Sequence, residues 1–181
     1  MKLKIALIGN PNCGKTTMYN AITGSTQYVG NWPGVTVEKK EGLIKGHKDA
    51  LLVDLPGIYS LSPYSLEERI TRDYLSDGKP DAVINIVDST NIERGLYLTT
   101  QLLEMDIPVL VALNMTDAAD KAGISINEKV LSQKLGCRAI KCSASDGTGL
   151  GEVLSNAVDI AVKKEKPEQK IRFGDEIETA L

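Results

Sequence analysis

Nowhere in these 181 residues does an apolar run approach the length needed to cross a bilayer. Ile107 to Leu113 is among the longest, against roughly 20 residues for a spanning helix. No secretory leader is expected either, because Met1 to Ile8 alternates lysine with apolar residues and runs into a glycine-rich loop. Cysteine is scarce: Cys13, Cys137 and Cys142 are an odd number without framework spacing, which predicts reduced thiols in a cytosolic setting. Charge of neither sign dominates. The net charge is −3 with both signs interspersed, which argues against a dominant nucleic-acid footprint but leaves room for a local basic patch; no nucleic-acid partner is expected. The one histidine, His47, falls at a predicted hairpin tip and receives no catalytic role. There is no internal repeat. What remains is ordinary for a soluble globular chain, with a length that suits one domain around a buried core.

Strand-like runs alternate with helical patterns, which predicts an α/β domain. Strands are expected at 2–8, 35–45, 49–54, 81–88, 107–113 and 138–142, and helices at 15–23, 65–75, 91–105, 127–135 and 149–163. The tight turn Gly46-His47-Lys48 makes the second and third strands antiparallel neighbours. Ser65 with Glu68 three residues on forms a capping box. These elements predict a six-stranded, mostly parallel sheet with one antiparallel edge strand and helices on both faces. A domain over 1–165 is followed by 166–181, a charged linker containing Pro167 and then DEIETAL, the start of a helix with no room to finish.

Residues 9–16 read GNPNCGKT, the pattern G-x-x-x-x-G-K-[ST], between a predicted strand and a predicted helix. That is the context of a P-loop. Gly9 and Gly14 let the backbone wrap closely around a phosphate. The amides that follow face an anion at a helix N-terminus. Lys15 supplies a mobile charge to the β- and γ-phosphates, and Thr16 a hydroxyl to magnesium.

Asp54-Leu55-Pro56-Gly57 follows an apolar strand and fits D-x-x-G. Asp54 would hold magnesium, and Gly57 would donate its N–H to the γ-phosphate. Between these motifs, residues 28–36 carry two glycines and a proline, which predicts an irregular, mobile loop. Thr36 is the candidate switch threonine for magnesium; the competing reading is a β-branched residue that opens a strand. Trp32, the only tryptophan, is expected partly exposed near the nucleotide, with a place in the core as the alternative.

Asn114-Met115-Thr116-Asp117 ends the strand 107–113, where an α/β sheet presents ligand contacts. It matches N-x-x-D of guanine recognition. Asp117 would accept two hydrogen bonds from the base, a pair adenine cannot donate. Ser143-Ala144-Ser145 matches S-A-x, with the Ala144 amide toward the guanine oxygen. The candidate nucleotide contacts are therefore Gly9, Asn10, Pro11, Asn12, Cys13, Gly14, Lys15, Thr16 and Thr17. To these add Gly34, Val35, Thr36, Asp54, Gly57, Asn114, Met115, Asp117, Ser143, Ala144 and Ser145.

With these motifs in place, the chain resembles the GTPase domain of the ferrous-iron transport protein B family, FeoB. The resemblance covers nearly the whole sequence. It rests on GNPNCGKTT, GNWPGVTVEKKEG (30–42), VDLPGIYSL (53–61), VDSTNIERGLYLTTQL (87–102) and NMTD. It implies a Ras-like P-loop fold, bound GTP or GDP with magnesium, and a longer protein. In that protein a helical regulatory domain and an iron permease follow, small cytosolic accessory proteins assist, and this domain lies soluble at the cytoplasmic face of the membrane. Ras-type enzymes carry a water-orienting glutamine after the D-x-x-G glycine, whereas this chain has Ile58. The resemblance therefore implies slow, potassium-stimulated hydrolysis. Asn12 would ligate potassium, and Lys15, Asn12, Thr36 and Gly57 would form the catalytic set. Asn12 also reads as a turn residue chosen for local hydrogen bonds. Cys13 reads as a small filler or as a thiol activated at a helix N-terminus. Two further readings stay open: a potassium-dependent GTPase of the ribosome-assembly or tRNA-modification type, and a nucleotide-operated switch whose hydrolysis is incidental.

Overall fold

Residues along β1 (Leu3–Gly9) alternate between the two sides of one sheet. Ile5 and Leu7 join a core cluster with Met18, Tyr19 and Ile22 of α1 (Lys15–Ile22) and Val153, Ala157 and Ile160 of α6 (Leu150–Lys163). Ala6 and Ile8 join another with Leu75 of α2 (Leu66–Asp77) and Leu98 and Leu102 of α3 (Ile92–Glu104). Period-two side chains on a strand buried on both faces place helices on both faces of the sheet, as expected. This computed structural model describes residues 2–78 and 80–167; the expected linker end and final helix start, 168–181, lie outside the described residues.

The remaining elements are β2 (Thr23–Asn31), β3 (Glu38–Ile44), β4 (His47–Asp54), β5 (Ala82–Asp88), β6 (Val109–Asn114), α4 (Thr116–Lys121), α5 (Glu128–Leu135) and β7 (Arg138–Lys141). The sheet order is β2-β3-β4-β1-β5-β6-β7. β4, β1, β5, β6 and β7 run parallel. β3 is antiparallel to both its neighbours. The α/β class and mostly parallel sheet agree with the expectation, but the sheet has seven strands and its antiparallel member lies one place in from the edge. The added strand is TGSTQYVGN. It has no apolar alternation to announce it, and its pairing with β3 comes from the partner rather than from its own residues. The loop expected over 28–36 therefore shrinks, and β3 opens at Glu38 rather than at 35.

Ends of elements follow local chemistry. Ser65 caps α2, accepting from the Glu68 amide at 3.1 Å while Glu68 Oε2 accepts from the Ser65 amide at 2.9 Å. The β3–β4 turn is Lys45-Gly46, one residue earlier than expected, with Gly46 at φ +79°. Among the described residues no helix is long and apolar enough to cross a membrane.

Candidate nucleotide site

The parallel strands β1, β4, β5 and β6 all end on one side of the sheet, and the four motifs leave from the ends of β1, β4, β6 and β7. That is where an open α/β sheet binds ligands. The P-loop leaves β1 at Gly9 and enters α1 at Lys15. Gly14 is left-handed at φ +87°, and no side chain caps the helix, so the first amides of α1 remain available to an anion. A Cβ at Gly14 would lie 2.3 Å from Asn114 Nδ2, and one at Gly9 2.8 Å from the Ile86 carbonyl oxygen. Both glycines are thus required by close approach, and Gly14 also by its left-handed backbone. Cys13 is buried, and burial pushes its thiol up to about 11, outweighing the pull of Lys15. The activated-thiol reading is corrected: the residue is a small core filler.

Lys15 Nζ lies 2.5 Å from Asp54 Oδ1, both side chains largely covered. The pair forms because β1 and β4 are neighbours with Leu7 opposite Asp54. Burial raises the Asp54 carboxyl above its usual range, with Lys15 opposing. Thr16 and Thr17 are exposed on α1. Gly57 lies against Pro11, where an added Cβ would meet Cα at an ordinary 3.4 Å. Ile58 is 2% exposed and its amide donates to the Gly9 carbonyl at 3.2 Å, so its side chain belongs to the core.

Asn114 ties two loops together. Its Nδ2 donates to the Cys13 carbonyl at 2.8 Å, and its Oδ1 accepts from the Ala144 amide at 2.9 Å. The Ala144 donor, expected to face a base, is thus engaged by Asn114, because β6 and β7 are paired and bring the two loops together. Ser143 Oγ donates to Asp117 Oδ1 at 3.0 Å and lies 2.9 Å from Ser145 Oγ. Met115 at φ +63° turns the chain so that Asp117 falls in the first turn of α4. The fourfold set of P-loop, D-x-x-G, N-x-x-D and S-A-x is therefore gathered at one sheet edge.

Of the predicted residues not yet placed, three lie on the 32–37 loop and one within the P-loop. Thr36 is exposed on the 32–37 loop, and no side-chain hydrogen bond among the described residues joins it to Thr16 or Asp54. Gly34, at φ +75° with open space around it, and Val35 share that loop. Asn12 is exposed and left-handed at φ +66°, a conformation asparagine tolerates. Trp32 corrects its expectation: it is 7% exposed and packs edge-on to Tyr74 at 5.4 Å, with Lys39 over its ring at 5.0 Å. His47 sits half-buried at the start of β4, away from these motifs.

Sequence reasoning missed the contacts of α3. Asn10 Nδ2 donates to the Arg94 carbonyl at 3.1 Å, Arg94 lies 4.1 Å over the Tyr59 ring, and the Leu61 amide donates to Gln101 Oε1 at 2.8 Å. The run 87–102 was distinctive in sequence, but its partners lie 40 to 84 residues away for the two hydrogen bonds.

A strand–loop–helix phosphate cradle joined to D-x-x-G, N-x-x-D and S-A-x loops at strand carboxyl ends defines the class: a P-loop G domain. The sequence profile of the family described as ferrous iron transport protein B matches residues 3–157, and the chain belongs to that family. The Fe(2+) transporter FeoB of Escherichia coli K12 is 53% identical over 163 residues, covering 87% of this chain and 21% of that protein. A Porphyromonas gingivalis protein described as an Fe(2+) transport protein A/Fe(2+) transporter FeoB fusion is 46% identical over 183 residues, 99% of this chain and 22% of its own length. The chain thus spans about a fifth of these relatives. Among solved structures, an S. thermophilus NFeoB mutant bound to mGDP superposes with a TM-score of 0.95 at 49% identity, over 99% of this chain and 69% of that one. The cytosolic domain of the T. maritima FeoB iron transporter, in a GDP form, gives 0.93 at 43% identity, over 99% and 71%.

Proposed function

We propose that this domain binds GTP with magnesium and hydrolyses its β–γ anhydride slowly, stimulated by potassium, to regulate or gate ferrous-iron uptake through a permease in the same longer protein. The observation that carries the reading is the Asn114 clamp. It holds the P-loop carbonyl of Cys13 and the amide of Ala144 on one side chain, with Asp117 beside it. A phosphate cradle and a purine-reading carboxylate are thereby fixed relative to each other, as a guanine nucleotide requires. The GDP-bound relatives support the same reading.

The donor set fits magnesium. Asp54 is a covered carboxylate whose ion-pair partner among the described residues is Lys15. When Lys15 turns to a nucleotide's phosphates, that carboxylate needs a replacement cation. Asp54 with the hydroxyls of Thr16 and Thr36 supplies the hard oxygen ligands magnesium prefers. Bound there, magnesium would neutralise charge on the phosphates. Lys15 and the P-loop amides hold the phosphate oxygens, and Gly57 offers its amide to the γ-phosphate. Because no described residue comes closer than 3.4 Å to a Cβ at Gly57, this reading assigns its glycine to the close approach of the γ-phosphate. Asn12, exposed and making no side-chain hydrogen bond among the described residues, is the potassium ligand of this reading. Thr36 must travel with its loop to reach the site. The attacking water is held mainly by main-chain groups, since Ile58 offers none.

The test is hydrolysis by this chain with GTP and with ATP, each in potassium and in sodium. GTP turnover with magnesium, faster in potassium, is expected. Preference for ATP, or indifference to both purines, would overturn the reading.

A further inference from the structure

We propose that Arg94 and Gln101 of α3 are positioning residues for hydrolysis, holding the 57–61 segment whose backbone orients the attacking water. The inference rests on the GTPase reading above. With Ile58 buried in the core, its side chain cannot hold the water; the reading above gives that task mainly to main-chain groups, among them the 57–61 segment that Gly57 opens, so what fixes this backbone bears on turnover.

Two side chains on α3 fix it. The guanidinium of Arg94 stacks 4.1 Å over the Tyr59 ring. The carboxamide of Gln101 accepts the Leu61 amide hydrogen at 2.8 Å. Arg94 and Gln101 are seven residues apart, about two helical turns, so they project from one face of α3. They grip alternate residues of the segment just after Gly57.

The helix that carries them is itself immobilised. Gly95 packs so closely on β5 that an added Cβ would sit 2.6 Å from Val87 Cγ1. Buried Asn85 donates to Thr99 Oγ1 at 2.6 Å. The carbonyl of Arg94 accepts from Asn10 in the P-loop at 3.1 Å. Ile58 N–H reaches the Gly9 carbonyl at 3.2 Å. One rigid helix thus references both the phosphate cradle and the water-bearing segment. Two of the stretches that carry the family resemblance, VDLPGIYSL and VDSTNIERGLYLTTQL, meet in these contacts.

The test is steady-state GTP hydrolysis by the chain in potassium and magnesium, with kcat read at saturating GTP, well below each variant's Tm, and KM measured alongside. Gln101→Leu is expected to lower kcat about three- to tenfold, the range of one lost hydrogen bond, with KM unchanged. Gln101→Glu keeps an acceptor oxygen and is expected to restore most of the rate. Arg94→Ala is expected to lower kcat about two- to fivefold, as for an exposed cation–ring contact, and Arg94→Lys less. Tyr59→Leu, at a side chain 41% exposed, replaces Arg94→Ala if that variant fails to fold. Amide exchange at Leu61, faster in Gln101→Leu than in wild type, is the independent readout. Wild-type rates in Gln101→Leu and Arg94→Ala, or an equal loss in Gln101→Glu and Gln101→Leu, would overturn this proposal alone. A wild-type chain that leaves GTP intact would overturn the parent reading and this one together.

Discussion

Replacing Asn114 by alanine would cut two hydrogen bonds in a place water does not reach. The side chain is 2% exposed, and its partners, the Cys13 carbonyl and the Ala144 amide, would be left buried. Stranded buried groups cost about 1–3 kcal/mol each, so urea denaturation should show a loss of about 2–6 kcal/mol. A change below about 0.5 kcal/mol would mean that the two loops are held by something else. At this scale the reading from sequence placed residues well where their neighbours in the chain define the local backbone. Gly14, Lys15, Asp54 and Asn114 all stand where their motifs put them. For Cys13 it left a small filler and a reactive thiol both open, and burial decides for the filler. The helix end does lower the thiol's pKa, but burial against the core raises it more, and burial is not written in adjacent letters.

Trp32 shows the same limit for an element. Two glycines and a proline around it signal a loop, and residues 32–37 do form one between β2 and β3. Yet the indole leaves that loop to join Tyr74, Leu75 and Val53 in the core under α2. Emission from the sole tryptophan should therefore be blue-shifted and poorly quenched by acrylamide. Trp32→Ala should cost about 3–5 kcal/mol by denaturation, as for a large core deletion. Red-shifted emission that acrylamide readily quenches would show that the ring is in solvent. The capping box of α2 and the runs of β5 and β6 were legible beforehand, because caps and apolar periodicity are local. β2 was not, because a polar strand with two glycines is recruited by pairing with β3, and short α4 follows only from the turn at Met115.

Across the whole molecule, three thiols lie within the packed layers or at their margin. Burial pushes Cys13 up to about 11 and Cys137 and Cys142 up to about 12, from an ordinary 9.0. A thiol whose pKa is higher in the folded state favours folding while it stays neutral. That contribution is complete below pH 9 and disappears as pH rises toward 11–12. The urea midpoint should hold steady from about pH 7 to 8.5 and fall between about 9 and 11. A chain with all three cysteines changed to alanine should lose less over the same interval. Equal losses in both chains would remove the thiols as the cause.

The sequence alone determined the class of fold and the order of its motifs. Each of those is a short-range demand: a left-handed glycine, a run of free amides, a carboxylate at a strand's end. The tertiary structure decided that Lys15 meets Asp54, that Asn114 takes the Ala144 amide, that Trp32 is core and that α3 grips the 57–61 segment. Those pairings join residues that only the sheet order β2-β3-β4-β1-β5-β6-β7 makes neighbours, and sheet order is a property of the packed chain rather than of any stretch of it.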